Sequence, residues 1–475
     1  MAQKPNLLFL ICDQLQAGCL DVYGGPVETK GWKTLSQEAV LFDRFYCASP
    51  LCMPTRPSMM TGRWPHAHGS ISFPSPDPDC SKVYNRLQPG NVLLSDYLHE
   101  NGYHVGCRGV WHINQAEEDQ QFNEYPLFQS DGFPYGPFSE DYQKMWKEGD
   151  LDSSQPVTTP GDDGNHDWNF SIPIPVKMTA PMEEHPDYEM TDAIIEHIQN
   201  TPNGKPFAAW CSIGTPHPPL HIPQEFFDMF KPEDMVKPPG IDEDVATFPE
   251  FLKTHLPGRQ SVKEFDWPLW QKAIAGYYGY AAFADFCVSR VLDAVKEAGK
   301  WDNTVIVATA DHGEMIGAHG LYQKGCFYEQ SCRVPFAFKP AGCVAGKEMR
   351  RMQLGNHVDI VPTILDALGM PPIKEVQGSS LLPIIEDAGH DGATYQFSEF
   401  NGHIGGGMYA RCVMTERYKY VYNHEDMDLL FDLEADPDEL HNLIDDPACA
   451  DIYRELSAAL WEWSRETGDF LEPVD

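Results

Sequence analysis

The chain is poor in positive charge. Only 34 Lys and Arg stand against 71 Asp and Glu, a formal charge of −37 over 475 residues. A field of that sign repels polyanions, which excludes coating nucleic acid or an anionic lipid surface and means that a small anionic substrate needs a local positive site. Long apolar runs are also missing, and none approaches the roughly 18 residues of a membrane span. At the N-terminus, Lys4 precedes only the apolar run Leu7 to Ile11 before Cys12 and Asp13, too short for a secretory core and without a small-residue cleavage pattern. A cytoplasmic protein, not a membrane one, is expected. Paired short cysteine spacings are absent too. Cys12, Cys19, Cys47, Cys80 and Cys107 make no zinc-type CxxC pair, and 13 is an odd number, so reduced interior thiols are the expectation.

What is present is the material of an α/β enzyme. The runs Asn6–Cys12, Phe207–Ile213 and Thr304–Ala310 are short, apolar and followed by polar residues: Asp13 and Gln14, the Thr215–Pro218 turn, and Asp311 and His312. Each fits a buried parallel strand. Helix-like segments lie between them, including Asn91–Glu100 and Ala273–Ala298. Alternation of this kind predicts a mostly parallel sheet between helices, with ligands beyond the carboxyl ends of the strands. The Pro-, Gly- and acid-rich stretches at 72–79, 150–181 and 221–267 read as loops walling an active site. After about residue 385 come β-like segments at 409–414, 419–422 and 429–433, and a helix-like end carrying Tyr453, Leu456, Leu460 and Trp463. The expected division is a catalytic domain over 1–385 and a smaller α+β domain with an antiparallel sheet over 386–475.

The densest chemistry lies in SPLCMPTRPSMMTGRWPHAHG, Ser49 to Gly69. Pro54 suits the first turn of a helix, which puts Cys52 at or just before an N-terminus that favours an anion. Arg56 adds a permanent cation whose donors match a tetrahedral oxyanion. Further along stand Gly109-Val110-Trp111-His112, Pro216-His217 with Pro219, Asp311-His312-Gly313-Glu314, Lys324-Gly325, Val358–Thr363 and Leu430–Leu433. With Asp13 and the Cys52–Arg63 run, these motifs resemble the sulfatase family in its order and over most of the chain.

The resemblance implies an alkaline-phosphatase-like fold and hydrolysis of a sulfate ester or sulfamate. It implies that Cys52 is oxidised by a maturation enzyme to formylglycine, whose hydrate is the nucleophile. Implied metal ligands are Asp13, Gln14, Asp311, His312 and the converted Cys52, around one divalent cation, calcium first and manganese second. Arg56, His112, His217 and Lys324 are the implied catalytic residues, His217 and Lys324 also binding the substrate anion.

Two departures keep other activities open. Gln14 and His312 stand where most members carry Asp and Asn, a pair also found in the phosphonate monoester hydrolase branch. Val110 stands where members carry a Lys that touches the oxyanion. On an extended segment Arg108, Val110 and His112 would share a face, which makes Arg108 a candidate substitute. A phosphonate monoester or phosphodiester hydrolase, or a non-catalytic binding protein on the same fold, are the alternatives. His66 and His68 read as helix-end structure, Trp111 as packing, and His319 as either loop structure or a substrate contact.

Overall fold

The computed structural model describes residues 4–73, 86–113, 173–178, 180–254, 262, 265–342, 349–402 and 408–473. The expected loops at 74–79 and 150–172 lie outside the described residues.

β1 (Asn6–Asp13) is buried at every position and sits at the heart of the larger sheet. It pairs in parallel with β5 (Phe207–Pro216) on one side and β7 (Thr304–Ala310) on the other. Covered on both faces, these strands can be apolar throughout, which is why they read as continuous runs. β3 (His104–Gly109) adds in parallel beyond β5. On the far side β8 (Phe336–Lys339) runs antiparallel to both β7 and β2 (Val40–Tyr46), and β9 (Arg350–Asn356) pairs in parallel with β2. The order is β3-β5-β1-β7-β8-β2-β9. β2 hides its character because Asp43 and Arg44 interrupt its apolar run at a bulge between Phe42 and Arg44.

The long helix is Trp267–Glu297, starting earlier than its apolar pattern suggests. Asp266 caps it by accepting from Leu269 N at 3.1 Å, and Pro268 suits its first turn. The other expected helix begins only at Leu94, since the Asn91 amide donates to the carbonyls of Gln88 and His68 in a turn. Among the described residues no helix is long and apolar enough to cross a membrane.

The 221–267 stretch is only partly the loop its composition suggests. It contains β6 (His221–Pro223), paired in parallel with β4 (Val176–Met178), and short helices at Gln224–Phe227 and Glu250–Thr254.

The smaller sheet is antiparallel, ordered β10 (Gln396–Phe400), β11 (Ala410–Met414), β12 (Tyr418–Asn423), β13 (Leu429–Asp432). The helix Ala450–Thr467 covers it with Leu456, Leu460 and Trp463. Trp463 stacks on Phe397 at 4.8 Å and meets Trp64 edge-on at 5.2 Å. The smaller sheet therefore shares its core with the segment that follows the Cys52 helix.

Candidate active site

Parallel register creates the site. Cys12 of β1 lies opposite Ala310 of β7, so the next residues, Asp13 at the last position of β1 and Asp311 just past the end of β7, stand side by side. Both carboxylates are buried, and Arg56 joins them. Its Nη2 lies 3.0 Å from Asp13 Oδ2 and 2.9 Å from Asp311 Oδ2, and its Nε donates to Asp311 Oδ2 at 2.9 Å. Nη1 donates to Val110 O at 2.6 Å and Ser212 Oγ at 2.7 Å. The fork expected to meet a substrate oxyanion is instead committed to protein acceptors. Arg56 organises the carboxylates, because two buried anions this close need an internal cation. Burial and the neighbouring Asp311 push Asp13 up. Burial acts upward on Asp311 as well, but His312, Arg56 and Lys324 outweigh it and hold that carboxyl below the usual range.

Cys52 is the first residue of the helix Cys52–Thr61, after an extended Leu51. Pro57 has no N–H for the Met53 carbonyl, and Ser70 Oγ lies 3.5 Å from that oxygen in its place. Gly62 ends the helix at φ +67, a conformation glycine takes without strain. Thr55 Oγ1 lies 2.7 Å from His357 Nδ1, and His357 Nε2 donates to Ala310 O at 3.0 Å, tying the helix to the end of β7. Cys52 Sγ lies 3.0 Å from His312 Nε2, 3.3 Å from Lys324 Nζ and 3.9 Å from Asp13 Oδ1. Burial and then Asp13 hold the thiol well above its ordinary range, against a thiolate nucleophile.

His312 donates from Nδ1 to Gly313 O at 3.0 Å, which leaves Nε2 as the lone-pair nitrogen. Burial, with Lys324 and Arg56 assisting, pushes the imidazole down to about 3, so it is neutral. Nε2 lies 3.6 Å from Asp311 Oδ1 and 3.8 Å from Asp13 Oδ1. A neutral lone pair aimed at two carboxylate oxygens is an arrangement suited to a divalent cation. Ligand atoms of Asp13, Cys52, Asp311 and His312 all lie within 4.8 Å of one another, and all four residues are buried. The donor set therefore fits a metal ion.

Gln14, at φ +65, reaches the same cluster. Its Oε1 accepts from Lys324 Nζ, and its Nε2 donates to Glu314 Oε2. Glu314 is a residue whose part was missed in the sequence, although it closes the Asp311–Glu314 motif. Burial raises its carboxyl to about 7.

Gly109 ends β3 at φ +94, and a Cβ there would meet Ser212 O at 1.9 Å. The extended alternation assumed for Arg108, Val110 and His112 is thus broken at its second residue, and the basis for Arg108 as the substitute cation is lost. Arg108 sits half-buried at the end of β3, and Val110 enters the site through its backbone carbonyl. His112 is buried at φ +50, and burial followed by Arg56 pushes it down to about 3. His217 donates from Nδ1 to Pro218 O at 2.6 Å, and burial followed by Lys324 lowers it well below its ordinary value. Its turn is held by Asp187, which accepts from Gly214 N at 2.8 Å and Thr215 N at 2.9 Å. No motif pointed to Asp187 or Ser212.

The other histidines and the tryptophan singled out in the sequence make contacts within the protein. His68 lies 3.1 Å from both Pro54 O and Ser58 Oγ, bracing the Cys52 helix. His66 pairs with Glu399 at 2.8 Å, and Trp111 packs on Trp210. His319 N donates to Pro239 O and its Nδ1 lies 2.8 Å from Glu243, which anchors the 221–267 stretch.

A family model described as Sulfatase matches residues 5–370, and one for the C-terminal part of N-sulphoglucosamine sulphohydrolase matches residues 317–466. An arylsulfatase of Clostridium perfringens is 28% identical, over 93% of this chain and 90% of its own length. The multifunctional alkaline phosphatase superfamily protein PehA of Trinickia caryophylli is 30% identical, over 98% and 96%. The solved phosphonate monoester hydrolase of Agrobacterium radiobacter has the same fold, with a TM-score of 0.78 at 24% identity over 98% of this chain and 96% of that one. With the Sulfatase model covering most of its length, this chain belongs to the sulfatase family.

Proposed function

We propose that the chain hydrolyses sulfate esters or sulfamates of small anionic molecules, through a formylglycine made from Cys52 by a maturation enzyme. The observation that carries this reading is the convergence of Asp13, Asp311 and His312 on Cys52 Sγ at a helix N-terminus. Sγ stands in for the oxygen that the converted residue would carry there. One divalent cation, calcium first and manganese second, would be held by Asp13, Gln14, Asp311, His312 and that oxygen. Together, cation and formylglycine supply an activated hydroxyl nucleophile and a second hydroxyl for expelling sulfate.

The protein's side chains do the rest. Lys324, 3.3 Å from Sγ, binds an oxyanion of the substrate, which answers the need for a local positive site. His112, neutral, accepts the proton of the attacking hydroxyl, and His217, its Nδ1 already given to Pro218 O, donates from Nε2 to the leaving oxygen in the imidazolium form that the substrate's negative charge favours. Arg56 helps hold Asp311 ionised, opposes the burial that raises Asp13, and keeps both carboxylates in place. Residues 1–385 carry this chemistry, and 386–475 form the smaller subdomain.

A second reading is a phosphonate monoester or phosphodiester hydrolase, favoured by Gln14, His312 and Val110. Parallel kinetics on an aryl sulfate and a phenyl phosphonate monoester separate the two. Higher kcat/KM on the sulfate is expected, and dominant phosphonate or diester turnover overturns the first reading.

A further inference from the structure

We infer that Glu314 is a positioning residue that decides which end of the Gln14 amide faces the metal cluster, so that the two side chains act as one unit. This rests on the metal-site reading given above. The two ends of an amide differ: the oxygen can ligate a cation and the NH2 cannot. Lys324 Nζ, a donor only, meets Oε1, and Glu314 Oε2 accepts from Nε2. Glu314 is itself fixed, since its Oε1 accepts from Ile316 N at 2.8 Å and Gln323 N at 2.6 Å. The Gln14 backbone is pinned as well. Its N–H donates to Asp311 Oδ1 at 2.9 Å and its carbonyl accepts from Tyr277 Oη at 2.7 Å. Neither partner can adapt by sliding.

The electrostatic consequence concerns the place of the negative charge. A carboxylate at position 14 would touch the cation directly. Here a neutral oxygen faces the cluster, and the carboxylate stands one hydrogen bond behind it. The amide dipole links them, with its positive end on Glu314 and its negative end on the cluster.

Reciprocal substitution tests the unit, read by calorimetric titration of the metal-free protein with Ca2+ and with Mn2+, alongside its melting temperature. In Glu314→Gln the new carbonyl must serve Ile316 and Gln323, so an NH2 meets the Gln14 NH2 and forces that amide to flip. Affinity for the cation should fall about 10- to 100-fold. In the double variant Gln14→Glu/Glu314→Gln, a carboxylate at 14 accepts from the new amide and presents its other oxygen to the cation, so affinity should return to the wild-type value or above. Unchanged affinity in Glu314→Gln, or a double variant no better than the single one, overturns the inference. If the single variant does not fold, the double variant decides: it must fold and bind, and failure of either overturns the inference. Wild-type protein that binds neither cation overturns the metal reading first, before any variant is compared.

Discussion

Arg56 grips Asp311 through a single carboxylate oxygen, Oδ2, which receives Nε and lies within reach of Nη2, each at 2.9 Å. The same Nη2 lies 3.0 Å from Asp13, so one guanidinium holds the ends of two neighbouring strands. The motif arginine is thus part of the framework behind the nucleophile position.

Arg56→Ala leaves two buried carboxylates without their cation. A loss of about 3–5 kcal/mol in urea unfolding is expected, together with lost cation binding. Arg56→Lys should rescue little, because one ammonium cannot replace a fork serving Asp13, Asp311, Val110 and Ser212. Normal stability and metal binding in Arg56→Lys would rule out this role.

Lys324 and Arg108 separate by position. Lys324→Ala should lower kcat/KM about 100-fold or more, since a preorganised contact to the anion is removed. Arg108→Ala should stay near wild type, because Gly109 breaks the alternation that would aim it with His112. Steady-state kinetics of both variants on one substrate give the ranking, and the reverse order would return Arg108 to the site.

Acid should destabilise the fold through histidines outside the metal cluster. His68, His185 and His357 are pushed down to about 3, His197 and His221 to about 4, and His217 also lies low, in every case first by burial. Each takes up a proton on unfolding below its ordinary value near 6.5, so its contribution is present above that pH and is lost as pH falls toward the folded value. Asp187 and Asp359 work in the opposite sense, being raised to about 6 by burial. With Glu314, raised to about 7 by burial, that makes three such carboxyls, and six histidines against three leave the unfolded chain the larger proton acceptor. Each net proton is worth about 1.4 kcal/mol per pH unit. Urea midpoints measured from pH 7 to pH 5 should fall steadily, and a rise would contradict this balance.

The parts legible in the sequence were those fixed by one strong local signal. β1, β5 and β7 were readable because strands covered on both faces are apolar throughout, and Cys52 because a helix start, a proline and an arginine crowd around it. β2 was not readable, since Asp43 and Arg44 sit inside it. The use of Arg56 was illegible for a different reason. A fork that fits a substrate oxyanion fits a carboxylate equally well, and only the register of β1 against β7 brings Asp13 and Asp311 within its reach. Glu314 and Asp187 act through backbone N–H groups and an amide brought near by turns, which leave no periodic trace. For Arg108 the alternation argument failed, because it assumes a strand through His112 and Gly109 ends it.

The mass of the peptide containing Cys52, taken from protein expressed beside a competent maturation enzyme, tests the central claim most directly. Formylglycine at Cys52 requires a peptide lighter by the difference between a CH2SH and a CHO side chain, and reactive toward a hydrazide. An unmodified thiol in fully folded protein, beside a control substrate that the same enzyme converts, would contradict it.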